Sequence, residues 1–115
     1  MKRANNTYLG EFEEVVLLTV QRLHPDAYGM SVRREIEERA GRSVSIGAVY
    51  ATIERLVDKG LLRSIAREPR PERDGRARYF FEVTREGMSA LDAADELRAR
   101  LRADAESTRQ IKQSS

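Results

Sequence analysis

The chain of 115 residues has no cysteine and no tryptophan. Without cysteine there is no disulfide scaffold, no thiolate zinc site and no cysteine nucleophile. A small domain must then stand on its core or on a partner. Long hydrophobic runs are missing too. No unbroken apolar run is longer than that of Val15–Leu18, far below the ~20 residues a spanning helix needs. The basic start Met1-Lys2-Arg3 is followed by no long apolar region, and Glu11, Glu13 and Glu14 interrupt it. No signal peptide is read here, and a reducing cytosol is the expected compartment. An excess of one charge sign is also lacking: 21 basic residues face 19 acidic ones, for a net charge of +2.

What is present is a modest core and a busy surface. Apolar residues make up 40% of the chain and charged residues 35%, against roughly 25% charged in average proteins. This suits one domain with perhaps one appended helix and is not biased enough for disorder throughout. Charge is distributed unevenly. Residues 63–78 hold six arginines (63, 67, 70, 73, 76 and 78) against Glu68, Glu72 and Asp74, a net of +3. A local basic element on a nearly neutral chain points to an anionic partner touched at one place.

Apolar periodicity organises the chain. Leu9, Phe12, Val15, Val16, Val20 and Leu23 fall at helical spacing, with acids expected on the outer face of the first turns. Pro25 ends that helix near His24. Met30, Val32, Ile36 and Ala40 mark a second helix that stops at Gly41. Ser45 caps a third, with Ile46, Val49, Ile53, Leu56 and Val57 inward and Gly60 as the stop. Leu61–Ala66 and Arg78–Val83 read as strands on either side of a loop with Pro69, Pro71, Asp74 and Gly75. Thr84 caps a last helix, whose Met88, Leu91, Ala94, Leu97, Leu101 and Ala105 approach a heptad seam. The fold class is therefore mainly α with a small β-hairpin: a winged helix-turn-helix plus a C-terminal dimerisation helix. The expected divisions are a flexible N-terminus over 1–8, the winged helix-turn-helix over 9–83, the dimerisation helix over 84–106 and a flexible tail over 107–115.

No catalytic set is visible. The one histidine, His24, sits beside Pro25 with no serine, cysteine or ligand group for company. Gly41-Arg42-Ser43-Val44-Ser45 is not a nucleophile elbow, and no P-loop or dinucleotide fingerprint exists. Glu35, Glu37 and Glu38 alternate with Arg33, Arg34 and Arg39 as a solvated helix face does. No enzyme, cofactor or metal is expected.

The third helix differs. Its inward stripe leaves Ser45, Gly47, Ala48, Ala51, Thr52 and Arg55 outward, with Tyr50 on one flank. Small residues let a helix backbone approach base-pair edges, and Thr52 and Arg55 are then placed to reach bases or phosphates. The same small residues would also serve packing against a neighbouring helix. The hairpin weighs toward DNA: Arg70, Arg73, Arg76 and Arg78 offer guanidinium forks to phosphate or a minor groove. Solubilising a sheet edge accounts for part of that charge.

The assembled motifs resemble the PadR family of bacterial transcriptional regulators. They are Leu9-Gly10-Glu11-Phe12-Glu13-Glu14, Ala27-Tyr28-Gly29, Gly47-Ala48-Val49-Tyr50-Ala51-Thr52-Ile53-Glu54-Arg55-Leu56 and Lys59-Gly60-Leu61-Leu62. Gly75-Arg76-Ala77-Arg78-Tyr79-Phe80-Phe81 and Val83-Thr84-Arg85-Glu86-Gly87 complete the set. The resemblance implies a repressor that binds double-stranded, palindromic operator DNA as a homodimer. Gly47, Ala48 and Tyr50 match the recognition helix, Leu61–Val83 the wing, and Met88–Ala105 the pairing helix. Met88, Leu91, Ala94, Leu97 and Leu101 are the expected dimer contacts. A single such helix marks the short-tailed branch. Family members respond to phenolic acids, drugs or other small molecules, so an effector of unknown identity is a further possible partner. Two departures stand out. Tyr79-Phe80-Phe81 replaces the usual lysine and paired tyrosines, and the last helix has no tryptophan to stack a drug. The alternative from another class is a winged-helix protein–protein interaction module without DNA binding.

Overall fold

Pro25 stops the first helix. In the computed structural model, which describes residues 8–68 and 78–114, α1 spans Glu11–Leu23 and His24 is extended at ψ 133°, as the residue before a proline prefers. Helix α2, Gly29–Ala40, closes on Gly41 at φ 66°, a left-handed conformation glycine adopts freely. The Ser45 hydroxyl accepts the Ala48 N–H at 3.0 Å and opens α3, Ile46–Asp58. Strands β1, Leu62–Arg67, and β2, Arg78–Val83, pair antiparallel, with Leu62 opposite Val83 and Arg67 opposite Arg78. Helix α4 runs over Arg85–Ser114. Thr84 caps it twice over: its hydroxyl accepts the Gly87 N–H at 3.0 Å and donates to the Gly60 carbonyl at 2.7 Å.

One core holds these elements. Val16, Leu17 and Val20 of α1 meet Val32 and Ile36 of α2 and Val49, Ile53 and Leu56 of α3. Leu61, Leu62, Ala90 and Leu91 close it from the hairpin side. Each fully buried aliphatic side chain contributes about 1.5–3 kcal/mol. Gly87 is where α4 docks: a Cβ there would strike the Leu61 carbonyl. Arginine–carboxylate pairs cover the outside of α2, with Arg22 and Arg39 both on Glu35 at 2.7 and 2.9 Å, and Arg33 3.5 Å from Glu37. This is the solvated face expected there.

Four expectations need correction. Glu13 and Glu14 do not face outward; both are buried, because cations from distant elements meet them. Leu17, passed over by the spaced stripe, is fully buried, since α1 is covered on more than one side. Leu91 belongs to the core of its own domain, because the root of α4 packs there. The tail expected to fray after residue 106 is helical to Ser114; it has no glycine or proline to interrupt it, and Arg109, Gln110, Lys112 and Gln113 are good helix formers. The expected flexible N-terminus lies outside the described residues except at Tyr8, which is exposed.

Candidate nucleic-acid interface

The open side of α3 is small. Ser45, Gly47, Ala48 and Ala51 are all exposed, so a surface could come within contact distance of the helix backbone near its N-terminus. Tyr50 flanks this side and is 43% exposed. Its ring lies over the start of α2, so close to Gly29 that a Cβ there would collide with it.

Thr52 is not on the open side. It is 2% exposed, one turn from both Val49 and Leu56, and its buried hydroxyl accepts a hydrogen bond from Arg55 Nη2 at 3.2 Å. The sequence carried the signal, since position 52 is three residues from one core position and four from another. Arg55 is exposed but occupied: its Nε lies 3.5 Å from Glu13 Oε2, on the flank facing α1. Glu13 also accepts Lys59 Nζ at 2.9 and 3.0 Å and the Gly10 N–H at 2.9 Å. Burial pushes the Glu13 carboxyl up, and these hydrogen bonds more than reverse it, leaving its pKa below the usual 4.5.

The opposite flank gathers aromatic rings and guanidinium groups. The Arg78 guanidinium stacks 4.1 Å from the Tyr28 ring centroid, and Arg34 Nη2 donates to the Tyr28 hydroxyl at 3.1 Å. The hydrogen bond from Arg34, with help from Arg78, holds the Tyr28 phenol below its usual pKa. Tyr28 meets Phe80 edge-on at 5.5 Å, and Arg67 covers Phe80 at 3.7 Å. Tyr79 points out and is 61% exposed, as strand alternation expects. Tyr28, Met30, Tyr50, Glu54, Arg78 and Tyr79 border a groove of about 710 Å³ between α2, α3 and the hairpin. Tyr28 and Arg34 were not among the expected site residues. Their signal was an aromatic residue directly before the Gly29 helix start, facing a basic residue almost two turns on.

The structure thus brings Ser45, Gly47, Ala48 and Tyr50 together, with Arg78 beside Tyr50. It sets Thr52 and Arg55 on the α1 flank. Arg70, Arg73 and Arg76 lie outside the described residues. On α4, Met88, Leu97 and Leu101 are exposed by 37, 41 and 60% and Ala94 is half-buried. Among the described residues, no His, Asp and Glu cluster is placed to hold a metal, and no helix is long and apolar enough to cross a membrane.

A sequence model of the transcriptional regulator PadR-like family matches residues 16–93. The chain belongs to the PadR family. No curated protein matches it in sequence, whereas solved structures resemble it well. A transcriptional regulator from Streptococcus is 23% identical, with 85% of this chain and 91% of that one covered at a TM-score of 0.66. A PadR-like transcription factor from Bacteroides fragilis is 25% identical, with coverages of 87 and 88% and a TM-score of 0.65. Bacillus subtilis PadR, solved in complex with operator DNA, is 14% identical, with coverages of 72 and 45% and a TM-score of 0.61. These likenesses fit the winged helix: α2 and α3 form the helix-turn-helix of this PadR chain, and β1 and β2 form its wing.

Proposed function

We propose that this PadR-family chain is a cytoplasmic repressor that binds a palindromic operator as a homodimer. The observation that carries the reading is the open side of α3, where Ser45, Gly47 and Ala48 expose backbone at the helix N-terminus and Tyr50 stands at the edge. Double-stranded DNA fits such a face, because amides at a helix N-terminus favour phosphate and small side chains admit base edges. The complex of Bacillus subtilis PadR with operator DNA supports the partner. Arg70, Arg73, Arg76 and Arg78 supply sequence-independent phosphate contacts from the wing, Arg78 by leaving Tyr28. Arg55 reaches phosphate from the α1 flank.

Pairing rests on α4. Ala90, Leu91 and Ala94 start an apolar line that Leu101 continues past the end of the domain, with Leu97 beside it. Leu18 of α1 is 46% exposed. A second copy covers Leu97 and Leu101 and places two recognition helices about 34 Å apart, one turn of DNA or a multiple of it. In these terms residues 9–83 are the DNA-binding unit and α4 the dimerisation helix.

Selection of bound sequences from random DNA tests the reading, with light scattering on the same sample. The expected result is a palindrome and a dimer mass. No enrichment, with no salt-dependent retention on heparin, would favour the protein–protein interaction module instead.

A further inference from the structure

Two adjacent carboxylates on one turn of α1 reach in different directions. Glu13 holds the end of the recognition helix through Lys59 and Arg55. Glu14, whose side chain is 9% exposed, accepts Arg98 Nη2 of α4 at 2.6 Å. Thus the same turn grips α3 with one residue and α4 with the next.

The α4 contact falls at a mechanically sensitive place. The root of the helix is fixed by Thr84, Gly87, Ala90 and Leu91. Past Leu91 the helix leaves the core: residues 92, 93 and 95–103 are all exposed and only Ala94 is half-buried. Arg98 lies two turns beyond Leu91, and its bond to Glu14 crosses from this projecting part back to the domain. From Leu91 to Leu101, where pairing is proposed, the projecting arm is about 15 Å long. A swing of about 13° at its root then moves that point by about 3.5 Å, close to the rise of one base pair.

We propose that Glu14 and Arg98 are positioning residues that set the spacing between the two operator half-sites the dimer accepts. This rests on the reading of the chain as a dimeric DNA-binding protein. Neither residue touches DNA. Glu14 fixes the angle between the arm and the winged domain, while Glu13, on the same turn, fixes the recognition helix against that domain. The pair of carboxylates therefore translates the direction of the dimer arm into the position of the reading face. A buried acceptor suits this role: the Glu14 side chain is almost wholly removed from water while Arg98 is 58% exposed, so the bond is directional at its acceptor and partly screened at its donor.

The test uses the full chain, as wild type, Glu14→Gln, Arg98→Gln and Arg98→Lys. The half-sites recovered by selection are placed apart at spacings stepped one base pair at a time, and affinity is measured for each. Wild type should prefer one spacing. In Glu14→Gln and Arg98→Gln the preference for that spacing over its neighbours should fall by about fivefold, the worth of one such ion pair. Affinity for the best spacing, dimer mass and melting temperature should change little, and Arg98→Lys should restore most of the selectivity. Unchanged spacing preference in both Gln variants overturns the proposal. So does an equal loss at every spacing, which would make Glu14 a residue of the half-site or of the fold. Should Glu14→Gln fail to fold, the exposed Arg98 variants decide alone. If wild type itself is monomeric or binds no DNA, the functional reading fails first, and that outcome differs from a selective wild type with equally selective variants.

Discussion

Helices α3 and α4 each turn one side into the same core, and their open sides are opposite in kind. The open side of α3 near its N-terminus shows Ser45, Gly47, Ala48 and Ala51, all small side chains. The open side of α4 shows Met88, Leu97 and Leu101. A nearly bare helix face costs little in water and admits a rigid polyanion at close range. Leu97 and Leu101, 41 and 60% exposed, leave unused part of the about 1.5–3 kcal/mol that full burial gives, which only an apolar cover recovers. The contrast is the one expected if, as proposed, α3 meets DNA and α4 meets a second copy of the chain.

The strongest way to break this contrast is to charge the α4 side. Leu97→Glu with Leu101→Glu should halve the mass by light scattering and lower operator affinity by about 10²- to 10⁴-fold, because the second half-site no longer binds intramolecularly. The winged domain should melt as before. A double variant that stays dimeric moves the interface toward α1 and Leu18.

Truncating the inner sides should give the opposite pattern. Ile53→Ala and Leu91→Ala should each lose about 2–5 kcal/mol of stability in urea unfolding, since both side chains lie in the core. A folded monomer from Leu91→Ala would instead return Leu91 to the dimer seam.

Tyr50 sharpens the comparison from the flank of α3. Tyr50→Phe removes the hydroxyl, which lies with the end of the ring over Gly29, and keeps the ring there. Operator affinity should fall by about 1 kcal/mol with the melting temperature unmoved. Unchanged affinity in a direct titration would leave Tyr50 a packing residue.

The smallest expected effect is the acid dependence of the Glu13 contact. Its folded pKa lies below the ordinary 4.5, so ionised Glu13 adds stability above that value, and the contribution disappears as pH falls through the lower folded value. Wild type should therefore exceed Glu13→Gln in stability at neutral pH, with the gap closing in acid. A gap that widens below pH 4.5 would show that Glu13 is not held as an anion.

Local chemistry was legible in the sequence, and long-range pairing was not. The Ser45 and Thr84 caps, the Gly41 stop and the bounds of β2 follow from neighbouring residues, and the structure has them as expected. Glu13 and Glu14 looked like solvated acids because their partners, Lys59 and Arg98, stand 46 and 84 positions away. Thr52 looked outward because a hydroxyl reads as polar until Arg55 satisfies it. Periodicity found the α4 seam but not the point where it leaves the core. That boundary depends on where the domain ends beneath the helix, as at Leu91.

The contact between Gly29 and the Tyr50 ring has a consequence for altering operator choice. Any side chain at position 29 must displace the ring, so position 29 can be enlarged only if Tyr50 moves or is made smaller, whereas Tyr50 can be trimmed with Gly29 in place. Gly29→Ala should force the end of the Tyr50 ring aside, and should be accommodated without that shift once position 50 is small, which melting temperatures of the single and double variants check. A library that randomises α3 with Gly29 held fixed explores only half of a linked pair. Introducing the smaller residue at position 50 first opens the space that a side chain at position 29 needs.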